Sequence, residues 1–170
     1  MQHNTQNPRE AAGADGGTRK VLTFSLGAEV YGVDILRVKE IRGWSPVTRI
    51  PQSPESLLGV LNLRGVIVPV IDLRKRFGLA VAEFNAMTVT IVLSLQTASG
   101  QKEHGFVVDA VRDVVDLAAG SMRPAPEVGS TSANDFIEAI ATHEEQMLIL
   151  LNAESLASSD TPPEAAEQAA

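Results

Sequence analysis

From residue 21 to residue 152 the chain is divided into short apolar runs by Gly, Pro, Asn and Asp, and no run holds a helical period for long. That punctuation leaves few folds open. The sharpest case is residues 60–71 (VLNLRGVIVPVI), where two apolar runs flank Asn62-Leu63-Arg64-Gly65. Two such runs around a Gly-containing turn read as a β-hairpin. Pro69 cannot donate to a ladder, so it marks an edge or a bulge. Asp72 is an N-cap type residue, and it predicts a short helix over Leu73–Phe77 closed by Gly78.

The same reading extends in both directions. Leu22, Phe24 and Leu26 alternate with Thr23 and Ser25, Gly27-Ala28-Glu29 can turn, and Val30 to Val33 can return. Asp34 can cap a helical stretch over Ile35–Ile41 ended by Gly43, although Val38 and Ile41 suit a strand as well. Prolines 46, 51 and 54 confine any strand over Val47–Ile50 to an edge. Glu55 to Leu58 reads as one helical turn stopped by Gly59. Val89, Ile91, Leu93 and Leu95 share one face of a strand. Gln96–His104 reads as a polar loop, Gly105–Val108 as a returning strand, and Asp113–Leu117 as another. Phe136, Ile137 and Ile140 fit a short helix, and Met147–Leu151 an apolar strand. Phe24-Ser25-Leu26 followed by Tyr31-Gly32-Val33-Asp34 is echoed by Leu93-Ser94-Leu95 followed by Gly105-Phe106-Val107-Val108-Asp109. The echo suggests two related small β-units. The expected class is all-β, barrel or sandwich, with a few short helices.

Residues 1–20 are polar and unpatterned and read as a disordered leader. Residues 153–170 read as a short helix begun near Glu154, then a flexible acidic tail broken by Pro162-Pro163. The folded part is expected over 21–152, with a first barrel near 21–80 and a second near 86–152, exchange of elements between them being open.

Net charge is −7 over 170 residues, against the basic footprint of nucleic-acid binders. Residues 21–80 hold eight Lys and Arg against five Asp and Glu, and residues 81–152 hold three against ten. Such halves suit partners with complementary patches, and equally a surface whose charges fell unevenly. With no Cys, disulfides and thiol chemistry are excluded. No apolar run approaches the ~20 residues of a membrane span, and the first residues hold no secretory core, so a cytoplasmic chain is expected.

Catalysis is poorly served. His3, His104 and His143 lack metal-ligand spacing, and no HExxH, GxSxG or phosphate-binding glycine loop occurs. His104 and His143 read as solvated loop residues, and Glu144-Glu145 as a polar turn. Arg74-Lys75-Arg76 reads as the solvated face of the short helix, since no aromatic residue is interleaved for base stacking. Trp44 is either a partner anchor or a satellite of the core. Glu40 and Arg64 stand out as charges inside otherwise apolar segments. Each is solvated at a turn or directed at a partner.

Residues 31–43 (YGVDILRVKEIRG), 62–74 (NLRGVIVPVIDLR), 105–109 (GFVVD) and 123–127 (RPAPE) resemble the chemotaxis coupling protein family, the CheW-like adaptors, in register from about Val21 to Leu151. The resemblance implies two five-stranded SH3-like β-barrels packed over a shared apolar core, no catalysis and no cofactor. It implies an adaptor joining the cytoplasmic tips of chemoreceptors to the regulatory domain of a CheA-type histidine kinase, recruited to membrane-associated arrays and monomeric when free. It carries a receptor-facing groove onto Val38, Glu40, Gly59, Arg64, Val89 and Val114, and a kinase- and ring-contacting loop onto Glu127 and Val128.

Three departures stand beside the match. Val128 replaces a frequent aromatic residue, which predicts a smaller contact. Ala139 and Ala141 replace glycines, which predicts a more helical turn. The Gln96–His104 loop is longer than usual. No receiver domain follows Leu151, which points to the lone adaptor. The competing readings are a small ligand-binding or enzymatic β-barrel, which needs convergent polar groups in a cavity, and a barrel-type nucleic-acid binder.

Overall fold

A computed structural model describes residues 17–80, 82–125 and 135–158. The strands are β1 (Thr18–Leu26), β2 (Glu29–Asp34), β3 (Val38–Gly43), β4 (Leu57–Leu63), β5 (Val66–Asp72), β6 (Val89–Thr97), β7 (Gly100–Val108), β8 (Ala110–Ala118), β9 (Met122–Arg123), β10 (Ile137–His143) and β11 (Gln146–Leu151). Two short helices are α1 (Leu73–Arg76) and α2 (Ala153–Ser158). The strands form a first sheet in the order β8-β1-β2-β11-β10-β9 and a second in the order β3-β6-β7-β5-β4. The two-barrel architecture expected from the resemblance is the one found, the first sheet carrying the two-residue β9 as a sixth strand.

The division at about residue 80 is not how the sheets are built. The first sheet takes the hairpin β1–β2 from the first half and β8, β10 and β11 from the second. The second sheet takes the hairpin β6–β7 from the second half and β3, β4 and β5 from the first. Each half therefore leaves its opening hairpin and completes the other half's sheet. The crossings fall where the sequence echo ends, at Asp34 and Asp109. Asp34 accepts the Leu36 N–H at 2.9 Å and caps a single 3-10 turn, Ile35–Arg37, that redirects the chain. At Asp109 the backbone N–H donates to the Ser25 carbonyl, and the carboxylate accepts from the Gly27 N–H at 2.8 Å and from Arg74 Nε and Nη2 at 2.8 and 2.6 Å. One aspartate thus ties the β1–β2 turn of one sheet to α1 beside the other.

Three apolar clusters follow from the alternation. Leu22, Phe24, Leu26 and Val33 of the first sheet meet Ile71, Ile91, Leu93, Leu95 and Phe106 of the second in the largest, shared core. Leu73 from α1 and Leu156 from α2 complete it. On the far face of the first sheet Val21, Leu117, Ala141 and Leu150 form a smaller core, and on the far face of the second Leu63, Val68 and Val92 form the smallest.

Several local expectations are corrected. The helix expected over Ile35–Ile41 is one 3-10 turn, because Val38 and Ile41 are β-branched and find β6 as a pairing partner. Glu55 to Leu58 is not a helical turn: Leu57 opens β4 against Ile71. Val47–Ile50 shrinks to one bridge, Thr48 to Val60. Gln96–His104 is no loop: β6 and β7 pair out to Thr97 and Gly100. The helix expected at Phe136, Ile137 and Ile140 is confined to a 3-10 turn at Asp135-Phe136; strand β10 opens at Ile137, and its Ala139 and Ala141 are buried in the far-face core, not in a helical turn. The expected leader ends earlier, since β1 begins at Thr18. The expected helix near Glu154 is present as α2, capped by Asn152 and docked through Ala153, Leu156 and Ala157.

Candidate functional site

The tip of the β4–β5 hairpin and the middle of β3 carry the charged part of the site. Leu63 pairs with Val66, so the connection is the two residues Arg64-Gly65, both at positive φ (53° and 88°). This is the primed turn whose twist matches a hairpin. Asn62 Oδ1 accepts the Gly65 N–H at 2.8 Å and holds it closed. Arg64 Nη2 then donates to Glu40 Oε1 at 2.7 Å, and Arg42 Nη1 donates to Glu40 Oε2 at 3.0 Å. The hydrogen bond from Arg64, and then that from Arg42, holds the Glu40 carboxyl below the usual carboxylate range. The Arg64 side chain remains 71% exposed while Glu40 is 23% exposed, so the pair presents a guanidinium outward from a fixed anchor.

The remaining candidates are distributed by a β-bulge. Val38 pairs with Leu93 and Glu40 with Val92, with a register shift between them. Leu93 faces the shared core and Val92 the small far-face core. The bulge therefore sends Val38 and Glu40 to opposite faces of β3. Val38 and Val89 are half-buried against the shared core. Val114 lies on β8 opposite Leu22 and is 52% exposed. Since β3 and β8 are the edge strands of their sheets, Val38 and Val114 border the shared core from both sides, with Val89 on β6 next to β3.

Gly59 serves packing. A Cβ there would collide with the Thr48 carbonyl oxygen, which is bonded to the Val60 N–H at 2.8 Å. Glu127 and Val128 lie outside the described residues.

Three residues were missed by sequence reasoning. Ile41 pairs with Ile91, shares the face of Val38 and Val89, and is 44% exposed. Its signal, alternation along β3, was hidden by the bulge. Arg42 clamps Glu40. Phe84 packs its ring 4.4 Å from that of Trp44, and the two are 40 residues apart in sequence with no pattern to connect them. The basic cluster is less free than expected: Arg74 pairs with Asp109, and the Arg76 guanidinium lies 4.2 Å over the Phe136 ring. His104 is buried, not solvated. Among the described residues no group of three His, Asp or Glu is placed to hold a metal ion, and no helix is long and apolar enough to cross a membrane.

A family model for the CheW-like domain matches residues 20–161. The chain is 47% identical over 142 residues to a chemotaxis protein CheW of Klebsiella aerogenes, covering 84% of this chain and 83% of that protein. It is 32% identical over 137 residues to the chemotaxis protein CheW of Bacillus subtilis, covering 81% and 85%. Among solved structures, the scaffolding protein TtCheW from Thermoanaerobacter tengcongensis superposes with a TM-score of 0.73 at 36% identity, covering 81% of this chain and 91% of that one. The interleaved sheets, the hairpin motif that carries Arg64 and these likenesses agree: the chain belongs to the CheW-like family.

Proposed function

We propose that this chain is a non-catalytic adaptor of chemosensory signalling that joins the cytoplasmic tips of chemoreceptors to the regulatory domain of a CheA-type histidine kinase within membrane-associated arrays. The observation that carries the reading is the Arg64 guanidinium, exposed at a hairpin tip yet fixed by Glu40, which Arg42 holds from the other side. A preset charge of this kind costs little ordering on binding and rejects partners that place a cation against it. The apolar residues Val38 and Ile41 of β3, Val89 of the neighbouring β6 and Val114 of β8 supply the dry part of the same contact. Glu127 and Val128 are proposed to meet the kinase or a ring neighbour.

Charge reversal tests this. Arg64→Glu and Glu40→Lys sit at the surface, so both variants are expected to fold with an unchanged circular dichroism spectrum. Each is expected to lose about tenfold or more in affinity for receptor or kinase. The test measures unfolding and ternary assembly on the same preparations. Normal assembly by both folded variants refutes the assignment.

A further inference from the structure

Two open grooves of about 450 Å3 each lie side by side on the second sheet's side of the molecule, with Arg49, Leu58 and Lys75 as their common wall. One runs over Pro51 and Pro54, the other over Trp44, Pro46 and Phe84. The Trp44 N–H donates to the Thr88 carbonyl at 3.1 Å, which fixes the base of the aromatic pair, while Phe84 is 37% exposed. Among the described residues neither the Arg49 guanidinium nor the Lys75 ammonium has an ion-pair partner within 4 Å. Of the carboxylates nearby, Asp72 lines the Trp44 groove and interacts with the charge of Lys75. Asp72 is buried and caps α1, and Glu55 and Glu83 each line only one of the two grooves.

The chain itself contains a segment of matching chemistry. Residues 159–170 (SDTPPEAAEQAA) carry Asp160, Glu164 and Glu167, no Lys or Arg, and the pair Pro162-Pro163. They begin directly after α2, whose Leu156 carbonyl accepts from Arg76 Nε at 3.3 Å, next in sequence to Lys75. Twelve residues can extend about 40 Å. We propose that residues 159–170 dock in cis on this surface, the proline pair over Trp44 and Phe84 and the carboxylates towards Arg49 and Lys75. Proline pairs are pre-ordered for aromatic-lined grooves. A short tether supplies an effective concentration in the millimolar range, so a contact that is weak in trans is occupied in cis. The acidic tail is then an internal occupant, and an outside partner of the same chemistry must displace it.

Trp44 is the only tryptophan, so the full-length chain reports on its own groove. Emission and acrylamide quenching are compared for the unaltered chain, for Asp160→Asn/Glu164→Gln/Glu167→Gln, and for Pro162→Ala/Pro163→Ala. Both variants alter residues outside the described elements. Each is expected to move the emission maximum to the red and to increase quenching. Arg49→Glu/Lys75→Glu is expected to do the same from the groove side. Raising the ionic strength from about 0.05 to 0.5 M should shift the unaltered chain towards the neutralised variant, as the screening length shortens. Unchanged emission and quenching in the tail variants overturns the proposal. So does a response in the tail variants that Arg49→Glu/Lys75→Glu does not reproduce. A signal that disappears on dilution overturns it too, because the occupant is then the tail of a second copy.

Discussion

His104 shows how far one residue can depart from its sequence context. Its neighbours Gln101, Lys102 and Glu103 are polar, which is why it reads as a loop residue. In the sheet it pairs with Leu93, stacks on Phe106 with ring centroids 6.4 Å apart, and is only 7% exposed. Burial pushes its imidazole down to about 4 from an ordinary 6.5. The folded state therefore holds it neutral, and the unfolded chain takes up the proton first. Stability is complete above pH 6.5 and is lost as pH falls from there towards 4, by about 3 kcal/mol from this residue alone. Urea unfolding at pH 7.5 and pH 4.5 should show a larger loss for the unaltered chain than for His104→Phe. Equal losses would place the imidazole in solvent. Arg42 supports a second prediction at this scale. Because Arg42 and Arg64 both act through Glu40, Arg42→Ala should weaken partner binding several-fold, and its effect should not add to that of Arg64→Ala. The Glu40 carboxyl should titrate higher in either variant, which carboxyl NMR reads directly. Unchanged affinity and titration in Arg42→Ala would leave Arg64 as the only group acting on Glu40.

Among the elements, what was legible in the sequence is what local chemistry decides. Arg64-Gly65 between two apolar runs specified the β4–β5 hairpin, and Asp72 with Gly78 specified α1. The alternation of Ile91, Leu93 and Leu95 specified the buried face of β6. What was illegible depends on partners distant in the chain. Glu55–Leu58 carries helix-compatible residues, but Leu57 is claimed by Ile71. Polar residues over Gln96–His104 are admitted to a long hairpin because its outer end faces solvent. The candidate site divides the same way. Glu40 and Arg64 stood out as charges in apolar surroundings, whereas the bulge that turns Val38 away from Glu40 is set by β6. The short helix expected near Glu154 is α2, but its docking was not legible: Leu156 is fully buried against β6. Leu93→Ala and Leu156→Ala should each cost about 2–5 kcal/mol, as for other buried leucines. Met147→Ala, at a position 63% exposed, should cost less than about 0.5 kcal/mol. Chemical denaturation of the three variants makes the comparison, and a small cost at Leu156 would show that α2 does not dock in solution.

For the whole molecule the interleaving has an energetic consequence. Neither half of the chain can complete a sheet by itself: β1–β2 lacks its edge partners without β8 and β11, and β6–β7 lacks them without β3 and β5. The largest core draws on both sheets and both helices, while the cores private to one sheet are small. Melting the first sheet would strip β8 and β11 from the second half and expose Leu22, Phe24 and Leu26, which cover the shared core. The second sheet would then stand with only Leu63, Val68 and Val92 on its far face, too little buried surface to offset the entropy of ordering its strands. The molecule should therefore unfold in a single transition despite having two barrels, with calorimetric and van't Hoff enthalpies in agreement. Leu117→Ala in the core private to the first sheet and Val68→Ala in that of the second should both lower the same midpoint and leave the transition single. Tyr31 lies on β2 of the first sheet and Trp44 follows β3 of the second, so their fluorescence changes should coincide with the heat uptake. Two resolved transitions, or a variant in one sheet that leaves the other sheet's probe at its original midpoint, would mean that the exchanged strands couple the barrels less than their pairing requires.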